Sequence, residues 1–324
     1  MAGMKNDRKI RAGRLETLDL LRGLTLISMI LYHGMWDFIY LTGTGAGMEG
    51  LRTWYEGTGG HLWQQSICRT FILLSGFCVP FSRRIFRRGL QVSGGGLVVT
   101  AVTLLLMYEE RVVFGVLTFL GAAMLLSGAV DRLAQRDAEG WDYREAGGRK
   151  DRFVQRDAEG WDCREAGSRK DRPDPAEHTP DARGTGRALA GLLFCLVLFY
   201  ITRWVNIGFL RPGPRLQIPL PSFLYVSAEL QENVVGRTAG WILTALGFPM
   251  KGFFSTDYFS LFPWIFLFRA GTWMHRALAD WKTNLFRHPV FYAQVPVLNW
   301  MGRHSLLVYL LHQPVLYLLI SLLS

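Results

Sequence analysis

The chain has 324 residues, half of them hydrophobic, and a formal net charge of +10. It contains several apolar runs of about 20 residues, which a soluble core does not need, so composition excludes an ordinary soluble domain. The segment 131–187 carries 13 basic and 14 acidic side chains, so the positive excess flanks the apolar runs. There it orients membrane spans, and we expect no nucleic-acid partner.

Seven segments predict an all-α, polytopic transmembrane helix bundle. The predicted spans are residues 18–41, 63–81, 92–108, 112–130, 188–207, 258–278 and 298–322. The basic N-terminus and the basic connection after the second span indicate that both lie in the cytoplasm. We therefore expect a multi-pass protein of the inner (cytoplasmic) membrane, with residues 208–257 outside. The short apolar stretch 241–248 is predicted to be interfacial or partly re-entrant.

Ionisable side chains share one face of the first span. Arg22 and His33 are 11 residues apart, close to three helical turns, and Asp37 follows one turn later. Burying a charge in hydrocarbon costs at least ~2.5 kcal/mol, so such groups usually face a solvated interior. An imidazole can accept a proton, and a nearby carboxylate can stabilise its charged form. His33 and Asp37 are therefore candidate catalytic residues, although a self-satisfying His–Asp pair within the bundle is the alternative.

The second span carries two further candidates. His61 precedes the apolar run, after the glycine-rich stretch 56–60, and is a candidate catalytic residue at the outer mouth of the bundle. Arg69 lies about two turns deeper and is a candidate ligand for a carboxylate or phosphate of the substrate. The alternative for Arg69 is a structural pair with Asp37 or Glu56.

A cluster of arginines follows the second span in the sequence SRRIFRRG. Its members are Arg83, Arg84, Arg87 and Arg88. Together with Arg22 on the first span, these side chains are candidates for binding the phosphates of an anionic cytosolic cofactor. A topology signal that also contacts lipid headgroups is the alternative reading of the cluster.

The segment 131–187 is predicted to be a cytoplasmic insertion in a single domain that spans residues 1–324. Residues 135–152 recur at 155–172 with two differences in 18 positions. The insertion is rich in charge and poor in branched apolar residues, so it is predicted to be disordered or weakly helical. Two copies are too few for a stacked repeat, which favours a tolerated duplication.

The last two predicted spans add polar residues at their outer ends. Asp257 stands at the start of the sixth span and is either its helix N-cap or a ligand for the acceptor substrate. In the last span, Pro314 cannot donate an amide, which leaves the Leu310 carbonyl without its usual partner. His312 and Gln313 then either satisfy such local groups or bind substrate.

Five blocks of the sequence, in this order, resemble the bacterial branch of the heparan-alpha-glucosaminide N-acetyltransferase catalytic-domain family. They are LDLLRGLTLISMILYHGMWD, WQQSICRTFILLSGF, FGVLTFLGAAMLL, FFSTDYFSLFPWIF and GRHSLLVYLLHQPVL. The resemblance implies a membrane enzyme that takes acetyl-CoA from the cytosolic side and acetylates an amino sugar on the far side. It also implies a catalytic histidine after the first helix, for which His61 is the nearest match. His33 occupies the place of a family asparagine.

The leading hypothesis is thus an integral-membrane acetyltransferase with a histidine general base. Its expected partners are the lipid bilayer, acetyl-CoA and an extracytoplasmic glycan or amino sugar; no metal is predicted, and a homo-oligomer stays open. A transporter or flippase using the same polar residues is the rival, although the sequence shows no matched pair of broken half-helices. A membrane scaffold would leave the intramembrane ionisable residues unexplained.

Overall fold

The computed structural model describes residues 16–42, 46–82, 84–145, 182–227, 229–281 and 295–323. Helices dominate these residues: α1 Glu16–Thr42, α2 Ala46–Glu56, α3 Thr58–Phe77, α4 Ile85–Leu106, α5 Val116–Glu145, α6 Ala182–Thr202, α7 Val234–Leu246, α8 Leu261–Trp281, α9 Pro296–Arg303 and α10 Ser305–Leu323. Two short strands, β1 Phe209–Leu210 and β2 Ile218–Pro219, pair antiparallel. The predicted all-α helical bundle is confirmed.

Five helices within the described residues are long and apolar enough to cross a membrane. They lie at Glu16–Leu41, Ile85–Leu106, Val116–Leu133, Gly184–Ile207 and Ser305–Leu322. α3 and α8 have 20 and 21 residues and pack against each other around a core that includes Ile72 and Phe268. Large side chains such as Leu105, 83% exposed, point away from the protein, as expected for a surface that faces lipid. The chain is a multi-pass membrane protein.

The C-terminal span differs from its prediction. Residues 298–322 do not form one helix, because the chain breaks at His304 between α9 and α10. α9 runs against the direction of α1, with Leu298 beside Gly23 and Gly302 beside Asp19. α10 then runs along α1, where His312 reaches His33. The break lies in the polar stretch 302–305, which the single predicted span had included.

Two glycines make the crossing of α1 and α9 close. A Cβ added at Gly302 would lie 1.9 Å from the Asp19 carbonyl oxygen, and one at Gly23 would lie 2.1 Å from that of Leu298. Asn299 locks the same crossing, since its side chain accepts from the Val295 N–H and donates to the Glu16 carbonyl, both at 2.7 Å. Small residues at a helix crossing are the usual way for membrane helices to approach this closely.

Other boundaries also shift. α2 was not predicted, and α4 begins at Ile85, so that Arg87 and Arg88 belong to its first turn rather than to a connection. α5 extends to Glu145 and α6 begins at Ala182, so both ends of the charged insertion are helical. The second copy of the repeat and Arg83 lie outside the described residues. The short apolar helix α7 covers most of the stretch predicted to be too short to span.

Candidate active site

α1 and α10 bring together four polar side chains, which we call the His33 cluster: His33, Asp37, His312 and Gln313. The imidazole rings of His33 and His312 have centroids 5.1 Å apart. The Gln313 side-chain N–H donates to both carboxylate oxygens of Asp37, at 3.1 and 3.3 Å. Asp37 is only 1% exposed. Asp37 is therefore a buried carboxylate whose hydrogen bond is supplied by the neighbouring helix.

Local structure orients the His312 ring. Its Nδ1 atom lies 2.5 Å from the backbone carbonyl oxygen of Tyr309, three residues earlier on α10. The Tyr309 ring also contacts the imidazole, with centroids 5.4 Å apart. Within the described residues, the buried Nε2 atom of His312 and the buried Oε1 atom of Gln313 have no hydrogen-bond partner. Buried polar atoms are usually hydrogen-bonded, so these two atoms are candidates for hydrogen bonds to a ligand.

Aromatic residues from α2 and α3 support the cluster from the side of α1. The ring of Tyr32 meets His33 edge-on, with centroids 5.8 Å apart, and stacks on Tyr55 of α2 at 4.7 Å. The Tyr55 hydroxyl donates to the Tyr32 carbonyl at 3.3 Å, and Trp63 of α3 donates to the Ser28 hydroxyl at 2.8 Å. These contacts fix the rotation of α1, and with it the direction of His33.

The opposite end of α1 carries a second polar site. Arg22 pairs with Asp19 at 3.8 Å, and Arg303 of α9 approaches the same carboxylate at 3.6 Å. Beside them lies a cavity of about 30 Å³, the Arg22 cavity, lined by Arg22, Ser75, Cys78, Val79, Ser82, Ile85, Arg88 and Met124. Two of the predicted cofactor-binding arginines thus line one cavity. Arg84 and Arg87 are exposed at the start of α4 and do not line it.

Asp257 differs from its predicted setting. Its carboxylate accepts from the Val116 N–H at 3.2 Å, so it caps α5 and not the helix that follows it in sequence. It lines a small cavity together with Tyr309. Burial raises the pKa of Asp257 to about 6, although the Val116 N–H favours the charged form.

The remaining predicted residues lie apart from the His33 cluster. His61 is exposed on the first turn of α3. Arg69 is also exposed, and its guanidinium lies 5.9 Å from the ring centre of Phe199. Within the described residues, Asp37 and Glu56 bond instead to groups on α1, α2 and α10, and neither forms an ion pair with Arg69.

Sequence reasoning missed Tyr309, which connects the His33 cluster to the Asp257 cavity, because it contacts His312 and lines that cavity. Its spacing was a usable signal, because Tyr309 lies three residues before His312, on the same helical face. Among the described residues, no group of three or more His, Cys, Asp or Glu side chains is placed to hold a metal ion.

A helical membrane bundle that holds a buried carboxylate and two contacting imidazoles towards one end of α1, and Arg22 towards the other end, is typical of an integral-membrane enzyme. The family model described as heparan-alpha-glucosaminide N-acetyltransferase, catalytic, matches residues 14–138 and 190–314. These ranges cover most of the chain, so the chain belongs to this family and is a membrane-bound acetyltransferase. The predicted resemblance to this catalytic-domain family is confirmed, and the unmatched residues 139–189 fall almost entirely in the charged insertion. A search of curated proteins and a search of solved structures each gave no match.

Proposed function

We propose that this acetyltransferase takes acetyl-CoA at the Arg22 cavity and transfers the acetyl group to the amine of an amino sugar or glycan at the His33 cluster. The observation that carries the proposal is that one helix, α1, contributes to both sites. The N-terminal end of α1 faces the cytoplasm and the His33 end faces the outside of the inner membrane. The basic residues around the N-terminal end support this orientation.

The Arg22 cavity suits the phosphates of the coenzyme. Arginine presents a planar set of N–H donors that matches phosphate oxygens, and Arg22 and Arg88 reach the cavity from different helices. Ser82 adds a hydroxyl whose oxygen is buried and has no partner among the described residues. Arg84 and Arg87 extend the positive surface at the cavity entrance, and Arg83 remains a predicted member of the same surface.

The two sites are separated by the 11 residues from Arg22 to His33, roughly 16 Å along a helix with a rise of 1.5 Å per residue. The phosphates and the acetyl thioester of acetyl-CoA stand at opposite ends of a long flexible arm. With the phosphates at the arginines, the arm extends along α1 and carries the acetyl group towards the imidazoles. This arrangement keeps the bulky nucleotide on one side of the membrane while the acceptor is acetylated from the other.

At the acceptor end, the amine attacks the thioester carbonyl and has to lose a proton. An imidazole of the His33 cluster accepts that proton, and the Asp37 carboxylate stabilises the imidazolium that forms. The unpartnered Oε1 atom of Gln313 accepts a hydrogen bond from the acceptor and orients it. His61, Arg69 and Asp257 remain candidates for contacts with outer parts of the acceptor.

The test uses the purified chain in detergent with labelled acetyl-CoA, and it measures CoA release with and without glucosamine. His33→Ala and His312→Ala are expected to fold, and loss of the imidazole that serves as the base is expected to lower turnover by about 10²–10⁴-fold, the usual contribution of acid–base machinery. His61→Ala is measured beside them. If His33→Ala, His312→Ala and His61→Ala all acetylate as fast as the unsubstituted protein, the histidine mechanism is wrong. A protein that moves sugar across vesicles without releasing CoA would instead indicate a transporter.

The donor site has its own matched pair of variants. Arg88→Gln is expected to raise the KM for acetyl-CoA and leave the KM for the acceptor unchanged, because Arg88 lines the cavity. Arg87→Gln, a neighbour on the same turn that does not line the cavity, is the control. Orientation is tested with a membrane-impermeant thiol reagent, which should label His61→Cys in intact cells and Arg87→Cys only after permeabilisation.

A further inference from the structure

We infer that His312, acting through its Nε2 atom, is the general base that takes the proton from the acceptor amine. The inference rests on the proposed function and deepens it, because it selects one atom of the His33 cluster. The sequence alone allowed two roles for His312: hydrogen bonding to local backbone groups or binding substrate. Within the described residues, His312 combines an Nδ1 atom bonded to a backbone carbonyl with an Nε2 atom that is buried and unbonded.

The Nδ1 atom of His312 lies 2.5 Å from the Tyr309 carbonyl oxygen. A carbonyl oxygen can only accept a hydrogen bond, so Nδ1 carries the proton and donates it. In the neutral ring the other nitrogen, Nε2, is then unprotonated and holds a free lone pair. The backbone of α10 therefore presents this imidazole in the form that a base requires.

The Nε2 atom is buried, and no group of the described residues bonds to it. The adjacent residue, Gln313, has its N–H group on Asp37 and its Oε1 atom buried and unbonded as well. Two unpaired acceptors on consecutive residues match an amine, which offers two N–H bonds. One is held by Gln313 and the other is the proton that His312 removes.

When Nε2 takes the proton, His312 becomes an imidazolium 5.1 Å from the His33 ring, measured between centroids. His33 therefore stays neutral, because two adjacent positive imidazoles repel each other. The buried Asp37 carboxylate, bonded to the residue next to His312, supplies the compensating negative charge. His33 acts as a neutral neighbour that shapes the site.

The acceptor nitrogen forms a bond to the acetyl carbonyl carbon while His312 Nε2 takes one N–H proton. The carbon–sulfur bond breaks, and its electron pair leaves with the coenzyme sulfur as thiolate. The imidazolium then returns its proton to solvent or to the thiolate, which gives the amide, the free coenzyme thiol and neutral His312.

The decisive variant is His312→Asn. Its amide nitrogen takes the place of Nδ1 and keeps a donor for the Tyr309 carbonyl, but nothing replaces Nε2. We expect kcat for CoA release in the presence of glucosamine to fall about 10²–10⁴-fold, with the KM for acetyl-CoA unchanged. The rising limb of the pH–kcat profile should be lost as well, which a merely structural role would not cause.

His304→Asn is the matched control. The Nδ1 atom of His304 lies 3.0 Å from the Trp300 carbonyl, the same kind of bond one helix earlier, but the residue is exposed and outside the cluster. This variant should keep its rate and pH profile. A folded His312→Asn variant that keeps both would overturn the inference, whereas an unsubstituted protein that never releases CoA would overturn the proposed function first.

A second variant and a measurement on the unsubstituted protein guard against misfolding. His312→Gln, judged by the same rate and pH profile, is the second variant. In the unsubstituted protein, diethyl pyrocarbonate modifies unprotonated imidazoles. Loss of activity should follow modification of the peptide that contains His312, with protection by glucosamine. Inactivation that follows His33 or His304 while His312 is unmodified would contradict the assignment.

Discussion

The hydrogen bond between Gln313 and Asp37 joins α10 to α1 at a fully buried carboxylate, and its loss should be measurable. Gln313→Leu keeps the size of the side chain but removes the N–H donor that serves both carboxylate oxygens. The carboxylate of Asp37, 1% exposed, is then left without the partner that the structure provides. Unfolding should become easier because this cost exists only in the folded state.

The magnitude follows from the geometry. A hydrogen bond to a charged group contributes about 1.5–3 kcal/mol in proteins, whereas side-chain bonds between membrane helices average ~0.6 and reach ~1.7 kcal/mol. The two N–O distances of 3.1 and 3.3 Å come from one nitrogen and describe one shared bond rather than two. We therefore expect Gln313→Leu to lower the free energy of unfolding by about 1–2 kcal/mol.

The assay is a double-mutant cycle with Asp37→Leu, followed by equilibrium unfolding in mixed detergent. The double variant should be more stable than the sum of the single changes, with a coupling of about 1 kcal/mol, because replacing both partners removes the unpaired charge. Gln64→Leu, an exposed glutamine on α3, is the control and should show no coupling to position 37. Strict additivity of Gln313→Leu and Asp37→Leu would refute the interaction.

Two further predictions concern packing and pH. Gly302→Ala places a methyl 1.9 Å from the Asp19 carbonyl and should destabilise the protein by about 1–3 kcal/mol or more in the same unfolding assay, whereas Gly94→Ala, where the added Cβ meets nothing within 4 Å, should not. Folding raises the pKa of Asp257 from 3.8 to about 6. Between these values the folded protein keeps a proton that the unfolded chain has released. The free energy of unfolding should therefore fall as pH rises across that interval. Asp257→Asn should flatten this decline when unfolding is measured at pH 4 and pH 7, and an unchanged decline would show that other groups cause it.

Features that depend on one helix could be predicted from the sequence. The helical repeat alone predicts that Arg22, His33 and Asp37 share one face of α1, and all three residues lie within that helix in the structure. The all-α membrane class follows equally directly, because runs of apolar residues have to satisfy their backbone internally in lipid. These inferences need no knowledge of neighbouring helices.

Features that depend on contacts between distant parts of the chain could not be predicted from the sequence. The bond between Gln313 and Asp37 joins residues 276 positions apart, and nothing local to α10 specifies that partner. Asp257 has the sequence context of a cap for the next helix, but it caps α5, 141 positions earlier. The close approach of Gly302 to the Asp19 carbonyl is equally non-local, since it joins α9 to α1.

In the proposed mechanism, the length of α1 sets a requirement on the acetyl donor. A helix neither stretches nor shortens appreciably, so Arg22 and His33 stay roughly 16 Å apart along its axis. A compact donor such as acetyl phosphate, bound at the arginines, would then hold its acetyl group far from the imidazoles. Specificity for a donor with a long flexible arm would then come from the distance between the two sites, without a pocket that is shaped to the arm itself.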